Sequence, residues 1–174
     1  MTMAKLTGKK ILILVEAVYE DLELWYPKIR LIEEGAPVVV AGPEKKIYQG
    51  KNGYPCMADV TIAEINVSDF AALVIPGGFA PDKLRRYPRV LEIVRQFHEA
   101  KKPIAFICHA GWVPISAQIL RGRKVTGVSA IKDDLENAGA TYLDQSVVVD
   151  GNLISSRTPV DLPDFCRAII RSLE

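Results

Sequence analysis

The residues of this chain that could do chemistry gather where apolar runs stop. Ile104-Ala105-Phe106-Ile107 ends in Cys108-His109-Ala110-Gly111, a thiol and an imidazole followed by two small residues. A run without polar alternation suits a central parallel strand covered on both faces. Ligands of open α/β sheets sit outside the carboxyl ends of the strands, which makes Cys108 the candidate nucleophile. Trp112 to Ile119 reads as a helix, so the order is strand, elbow, helix. A cysteine close to a helix N-terminus is expected to shift toward thiolate under the dipole and the unpaired N–H groups. Adjacent side chains on a regular strand point to opposite faces, so Cys108 and His109 cooperate only if the elbow breaks the strand geometry. The competing reading is a small hydrophobe in the core.

A second run, Ala71 to Ile75, ends in Pro76-Gly77-Gly78. Two glycines at a strand end allow positive φ and close approach of the main chain, so the Gly78 N–H is a candidate oxyanion donor; the alternative is a plain flexible loop. Neither G-x-G-x-x-G nor G-x-x-x-x-G-K-[ST] is present, and a dinucleotide or P-loop reading lacks its phosphate cradle. Glu20, after the first apolar run, has two chemical uses: protonated, it donates a hydrogen bond that holds a thiolate; ionised, it is a base. Its structural alternative is helix capping, which Asp21 would serve equally well.

The elements that must position these groups alternate in type. Strands are expected at Lys10 to Val15, Pro37 to Ala41, Ala71 to Ile75, Ile104 to Ile107 and Val125 to Val128, with a strand pair at Ser146 to Asp150 and Leu153 to Ser156 across Gly151-Asn152. The region Tyr48 to Tyr54 reads as a turn between short strands, and Val60 to Ile65 fits no single template. Helices are expected from Glu20 to Glu34, with Leu22, Trp25, Ile29 and Ile32 as the buried stripe and Pro27 as either a kink or the effective start, and at Pro81 to Arg86. Others follow at Pro88 to Ala100 (Val90, Ile93, Val94 and Phe97 buried, His98 solvated), at Lys132 to Ala138, and from an N-cap at Asp161 onward. That last helix buries Leu162, Phe165, Cys166, Ile169, Ile170 and Leu173, so Cys166 is core filling; Cys56 has no assigned role. The alternation indicates a doubly wound α/β sandwich.

Composition bounds the rest. The chain's 174 residues suit one domain, residues 1 to 174, and 22 Lys plus Arg against 21 Asp plus Glu leave a formal charge of +1. That balance gives no long-range attraction to nucleic acid or an anionic membrane, and Arg121-Gly122-Arg123-Lys124 reads as a solvated turn. Three cysteines without C-x-x-C spacing argue against a disulfide scaffold or zinc site and for a reducing interior; no metal and no cofactor are expected. The first apolar run, Ile11 to Val15, is too short for a secretory or membrane segment, and a cytoplasmic location is expected.

Five motifs in order, Glu20-Asp21, Ile75-Pro76-Gly77-Gly78, Phe106 to Gly111, Ile131 to Asp134 with Asn137 to Ala140, and Ser155-Ser156-Arg157-Thr158-Pro159, resemble those of the PfpI-like intracellular cysteine peptidases. The resemblance runs from about Ile11 to Leu173. It implies a flavodoxin-like sandwich of the class I glutamine amidotransferase type, with a mainly parallel sheet and the cysteine at a strained nucleophile elbow. It further implies a homo-oligomer, dimer to hexamer; a hydrogen bond from Glu20 to Cys108; His109 as proton carrier; and an oxyanion hole built from the N–H groups of Gly78 and His109. It implies also an acid, Asp82, lent to His109 by a neighbouring subunit. Here aspartate stands where some members carry glutamate, and Ala110-Gly111-Trp112 where others have Gly-Pro-Gln. The activity implied is a cysteine hydrolase acting on a peptide. The alternatives are a glyoxalase or protein deglycase acting on a small aldehyde such as methylglyoxal or its adducts, and a non-catalytic stress chaperone or oxidant sensor.

Overall fold

The computed structural model describes residues 4–174. Its framework is a seven-stranded sheet in the order β10, β11, β7, β6, β1, β2, β5. These are β1 (Ile11–Leu14), β2 (Val38–Gly42), β5 (Val60–Thr61), β6 (Ala72–Ile75), β7 (Ile104–Ile107), β10 (Val147–Asp150) and β11 (Leu153–Ser156). Every pairing is parallel except the β10–β11 hairpin at one edge. The four residues of each of β1, β6 and β7 are fully buried, as expected for strands covered on both faces. Two small pairs flank the sheet: the antiparallel β3 (Ile47–Gln49) with β4 (Pro55–Met57), and the parallel β8 (Lys124–Val125) with β9 (Thr141–Tyr142).

Among the described residues six α-helices complete the fold: α1 (Asp21–Glu33), α2 (Ala80–Leu84), α3 (Pro88–Glu99), α4 (Trp112–Ser116), α5 (Lys132–Asn137) and α6 (Leu162–Leu173). α1 and α6 pack side by side over β2 and β11, whereas α3 lies on β6 and β7 with α4 beside it. The doubly wound α/β sandwich expected from the sequence is the fold.

α6 buries the stripe its spacing predicts: Leu162, Phe165, Cys166, Ile169, Ile170 and Leu173. Each large side chain so covered contributes about 1.5–3 kcal/mol. Its N-cap is Asp161, as expected, but that carboxylate pairs with Arg157 and not with the helix backbone. The N-terminal helix departs from expectation. Leu22, Ile29 and Ile32 are each more than half exposed, and the face turned to the sheet carries Glu23, Leu24, Pro27 and Leu31. α1 runs through Pro27 without stopping; the missing N–H leaves the Glu23 carbonyl without its helical donor. Smaller corrections concern His98, which is half-buried and not solvated, the strand at Val125, which shortens to Lys124–Val125, and α4, which ends at Ser116.

Candidate active site

Three strand ends meet at the carboxyl edge of the sheet. β1 leads through Val15 to Glu20 into α1, β6 ends at Pro76-Gly77-Gly78, and β7 ends at Cys108. The chain proceeds from β1 to β2 on one side and lies beside β6 on the other, so this is a topological switch point.

Cys108 has φ +61°, a left-handed conformation that costs a non-glycine residue roughly 1–3 kcal/mol. The extended backbone of Ile107 breaks there into a 3-10 turn over Cys108–Gly111, and α4 follows. This break turns two consecutive side chains toward each other: Sγ of Cys108 lies 3.3 Å from Nδ1 of His109. The elbow thus meets the geometric condition that a regular strand could not.

The two glycines are held by their surroundings. A Cβ on Gly77 would stand 2.5 Å from Glu23 Oε2 and 2.8 Å from the Cys108 Cβ; one on Gly78 (φ +74°) would stand 2.4 Å from the Glu20 nitrogen. Close approach therefore requires glycine at both positions. The N–H of Gly77 donates to Glu23 Oε2 at 2.8 Å. The N–H groups of Gly78 and His109 act on the Cys108 thiol in the direction that favours its anion.

The acid against the thiol is Glu23, not Glu20. Glu23 is fully buried, and its Oε1 has no partner at ordinary hydrogen-bond geometry. Burial, reinforced by the nearby charge of Glu20, pushes its carboxyl up to about 8, although the Gly77 N–H acts in the other direction. Glu23 is therefore a protonated acid at neutral pH. The thiol is pushed up as well, to about 12, by burial first and by ionised Glu23 second. This reverses the thiolate shift expected from the helix N-terminus: α4 has only five residues, and two N–H groups do not offset the loss of solvent. His109 is lowered by burial and by Lys51, which keeps it neutral and able to accept the thiol proton.

Glu20 takes the capping alternative. It is the N-cap of α1, its Oε1 accepts the Leu22 N–H at 3.3 Å, and its Oε2 lies 3.6 Å from the Lys51 ammonium. An N-cap residue has extended backbone and points back along the helix axis, whereas a residue one turn on projects sideways, here toward Gly77 and Cys108. Asp21 serves the neighbouring loop. Its carboxylate accepts the backbone N–H groups of Asn52 and Tyr54, both at 2.9 Å, and these bonds hold it below its ordinary value against the opposing effect of burial.

The resulting pocket has a volume of about 360 Å³ and is lined by Glu20, Glu23, Lys51, Asn52, Gly78, Phe79, Cys108, His109 and Pro159. Asp82 is not among them: it is half-exposed on α2 and paired with Arg86. Within one copy of the chain it does not reach His109, which has no carboxylate partner among the described residues. Sequence reasoning missed Glu23, Lys51, Asn52, Phe79 and Pro159. The only prior signal for Glu23 was a second acid one helical turn beyond Glu20. The Ser155 to Pro159 motif proves to be scaffolding: Ser155 Oγ accepts from the Thr126 N–H, Arg157 joins Asp144 to Asp161, and Pro159 is thereby offered to the pocket. A larger depression of about 820 Å³ lies at the other end of the sheet beside the β10–β11 turn, and no cysteine lines it. No cluster of His, Cys, Asp and Glu suited to a metal ion occurs among the described residues. None of the described helices is long and apolar enough to cross a membrane.

The fold and the site together define a class of α/β proteins: a doubly wound sheet that presents a strained cysteine beside a buried acid and an adjacent histidine. Residues 9–172 match the model of the DJ-1/PfpI family, and the chain belongs to that family. Among its relatives, "Deglycase PfpI" of Pyrococcus furiosus is 46% identical over 95% of this chain and 99% of its own length. "Putative cysteine protease YraA" of Bacillus subtilis is 43% identical over 96% of this chain and 99% of its own. In a solved two-domain protein of Anabaena variabilis, the part similar to this chain superposes with a TM-score of 0.93 at 46% identity, covering 95% of this chain and 48% of that one; that protein contains DJ-1/ThiJ/PfpI-like and ferritin-like domains.

Proposed function

We propose that this protein is a cysteine-nucleophile enzyme acting on small reactive carbonyls and the adducts they form, with the peptidase reading as the alternative. The observation that carries the choice is Glu23: a carboxyl titrating near 8, fixed through one oxygen by the Gly77 N–H and coupled to Cys108, at the base of a pocket of about 360 Å³. Ligand pockets start at about 300 Å³, so the space suits a small aldehyde better than a length of peptide.

In this reading Sγ adds to the aldehyde carbon of a 2-oxoaldehyde while the thiol proton passes to Nδ1 of His109. The new oxyanion is held by the N–H groups of Gly78 and His109; oxyanion-hole donors of this kind are each worth about 3–4 kcal/mol. Glu23 gives this oxygen a proton and, once ionised, takes the hydrogen of the same carbon as a proton. Returning it to the adjacent carbonyl carbon, while the hydroxyl proton moves from the first oxygen to the second, turns the thiohemiacetal into the thioester of a 2-hydroxy acid, with the thiol proton kept on His109 until the sulfur leaves. Water then releases the acid and restores the thiol. The thiol stays protonated until a substrate is bound, which suits a residue that must avoid idle reaction. The deglycase name of the Pyrococcus relative supports this assignment; that of the Bacillus relative supports the alternative.

The same proposal includes a homo-oligomer. The exposed Leu22, Ile29 and Ile32 of α1, next to exposed Tyr54, form an apolar face of the kind that associates. Asp82 is available to a neighbouring copy, and sedimentation as a monomer at micromolar concentration would remove it from the site. The direct test of function is turnover of methylglyoxal against turnover of unstructured peptide. Conversion of the aldehyde to the 2-hydroxy acid, lost in Cys108→Ala, is expected; cleavage of peptide without aldehyde turnover would favour the alternative.

A further inference from the structure

We propose that Lys51 is a specificity-determining residue of the Cys108 pocket, favouring carbonyl compounds that carry a carboxylate over neutral ones of similar size. The inference rests on the small-carbonyl reading and adds the charge of the substrate.

Lys51 stands on the loop between β3 and β4, on the rim of the pocket. Its backbone N–H donates to the Tyr19 carbonyl at 2.8 Å, and the next residue, Asn52, is clamped by Asp21. The side chain therefore starts from a fixed point. Its ammonium is about half exposed and has one charged neighbour, Glu20, at 3.6 Å, near the outer limit of an ion pair. Glu20 is buried and its other oxygen is committed to the Leu22 N–H, so it cannot follow the ammonium toward an incoming ligand. An ammonium carries three donors, and this one makes no hydrogen bond within the described residues.

Other charges in the pocket do not cancel it. Glu23 is protonated at neutral pH, and His109 is held neutral. The field of Lys51 is felt at His109, where it lowers the imidazole with no carboxylate acting in opposition. Lys51 and Cys108 line the same small pocket. An anionic group on a molecule whose carbonyl sits at Cys108 thus meets an unsaturated cation at the rim.

The test uses two alkylating probes of nearly equal size, anionic iodoacetate and neutral iodoacetamide, with the rate at Cys108 followed by mass spectrometry and normalised to denatured protein. The iodoacetate to iodoacetamide ratio should fall roughly five- to tenfold in Lys51→Met and stay within about twofold in Lys51→Arg. Removing Lys51 alone uncovers Glu20, so the deciding comparison is Glu20→Gln/Lys51→Met, which removes both charges. A ratio in that double variant below wild type supports net selection of anions; a ratio equal to or above wild type overturns it. The iodoacetamide rate reports in each variant whether the elbow is intact. Because alkylation needs no turnover, the two readings separate. A ratio that responds as expected in a protein inert toward methylglyoxal would sustain anion selection and remove the catalytic reading; turnover with an unmoved ratio would do the reverse.

Discussion

Two thiols of this protein titrate alike and are built for different ends. Cys108 at the β7 elbow and Cys166 inside α6 are both pushed up to about 12, and in both burial is the first cause. Around Cys166 the neighbours are the apolar residues of α6 and the sheet, and the opposing charges of Arg30 and Arg167 do not reverse the effect of burial. Around Cys108 stand a neutral imidazole at 3.3 Å, two main-chain N–H groups and a protonated acid. The difference lies in what can take the proton and hold the charge once a substrate arrives. Reactivity here is a property of the partners, and the resting pKa alone does not reveal it.

The comparison breaks most visibly on removal of each sulfur. Cys108→Ala should lower turnover of methylglyoxal by at least about a thousandfold with little change in melting temperature. Cys166→Ala should leave turnover within about twofold and cost about 1 kcal/mol of stability from the space it vacates in the core. Equal losses of turnover in the two variants, measured beside thermal unfolding, would erase the distinction.

The next effect is on stability against pH. Glu23 has a folded value of about 8 against an ordinary 4.5, so the folded state binds a proton that the unfolded chain releases. Its favourable contribution is complete below about pH 4.5 and is lost as pH rises through 8, a change of roughly 3–5 kcal/mol. Urea unfolding of the wild type should weaken across that interval, and Glu23→Gln should flatten the dependence. A variant with the slope of the wild type would mean that Glu23 is ionised in the folded protein.

Much of this was legible in the sequence, and the two main misreadings share a cause. The uninterrupted apolar runs Ile11 to Val15, Ala71 to Ile75 and Ile104 to Ile107 announce doubly covered strands, and a cysteine, an imidazole and a glycine pair at their ends announce the site. On α1, however, Leu22, Trp25, Ile29 and Ile32 form one apolar stripe while Leu24, Pro27 and Leu31 form another, and periodicity does not say which faces the sheet. That choice carries Glu23 inward. The exposed stripe led the reading to bury the wrong side of the helix, which hid Glu23 and left Glu20, the acid nearest the strand end, as the apparent partner of Cys108. The direction of the thiol shift was illegible for another reason: a helix N-terminus can be seen in a sequence, but the depth of burial that outweighs it cannot.

The smallest effect separates the two glutamates most directly. Alkylation of Cys108 by iodoacetamide should be followed from pH 6 to pH 10 in the wild type, Glu23→Gln and Glu20→Gln. In the wild type Glu23 ionises near pH 8 and sets a like charge beside the sulfur, which holds back the thiolate above that pH. Glu23→Gln should therefore react roughly tenfold faster than wild type above pH 8, while Glu20→Gln stays within about twofold of it. A profile altered by Glu20→Gln and untouched by Glu23→Gln would contradict the assignment of Glu23 as the acid that governs the Cys108 thiol.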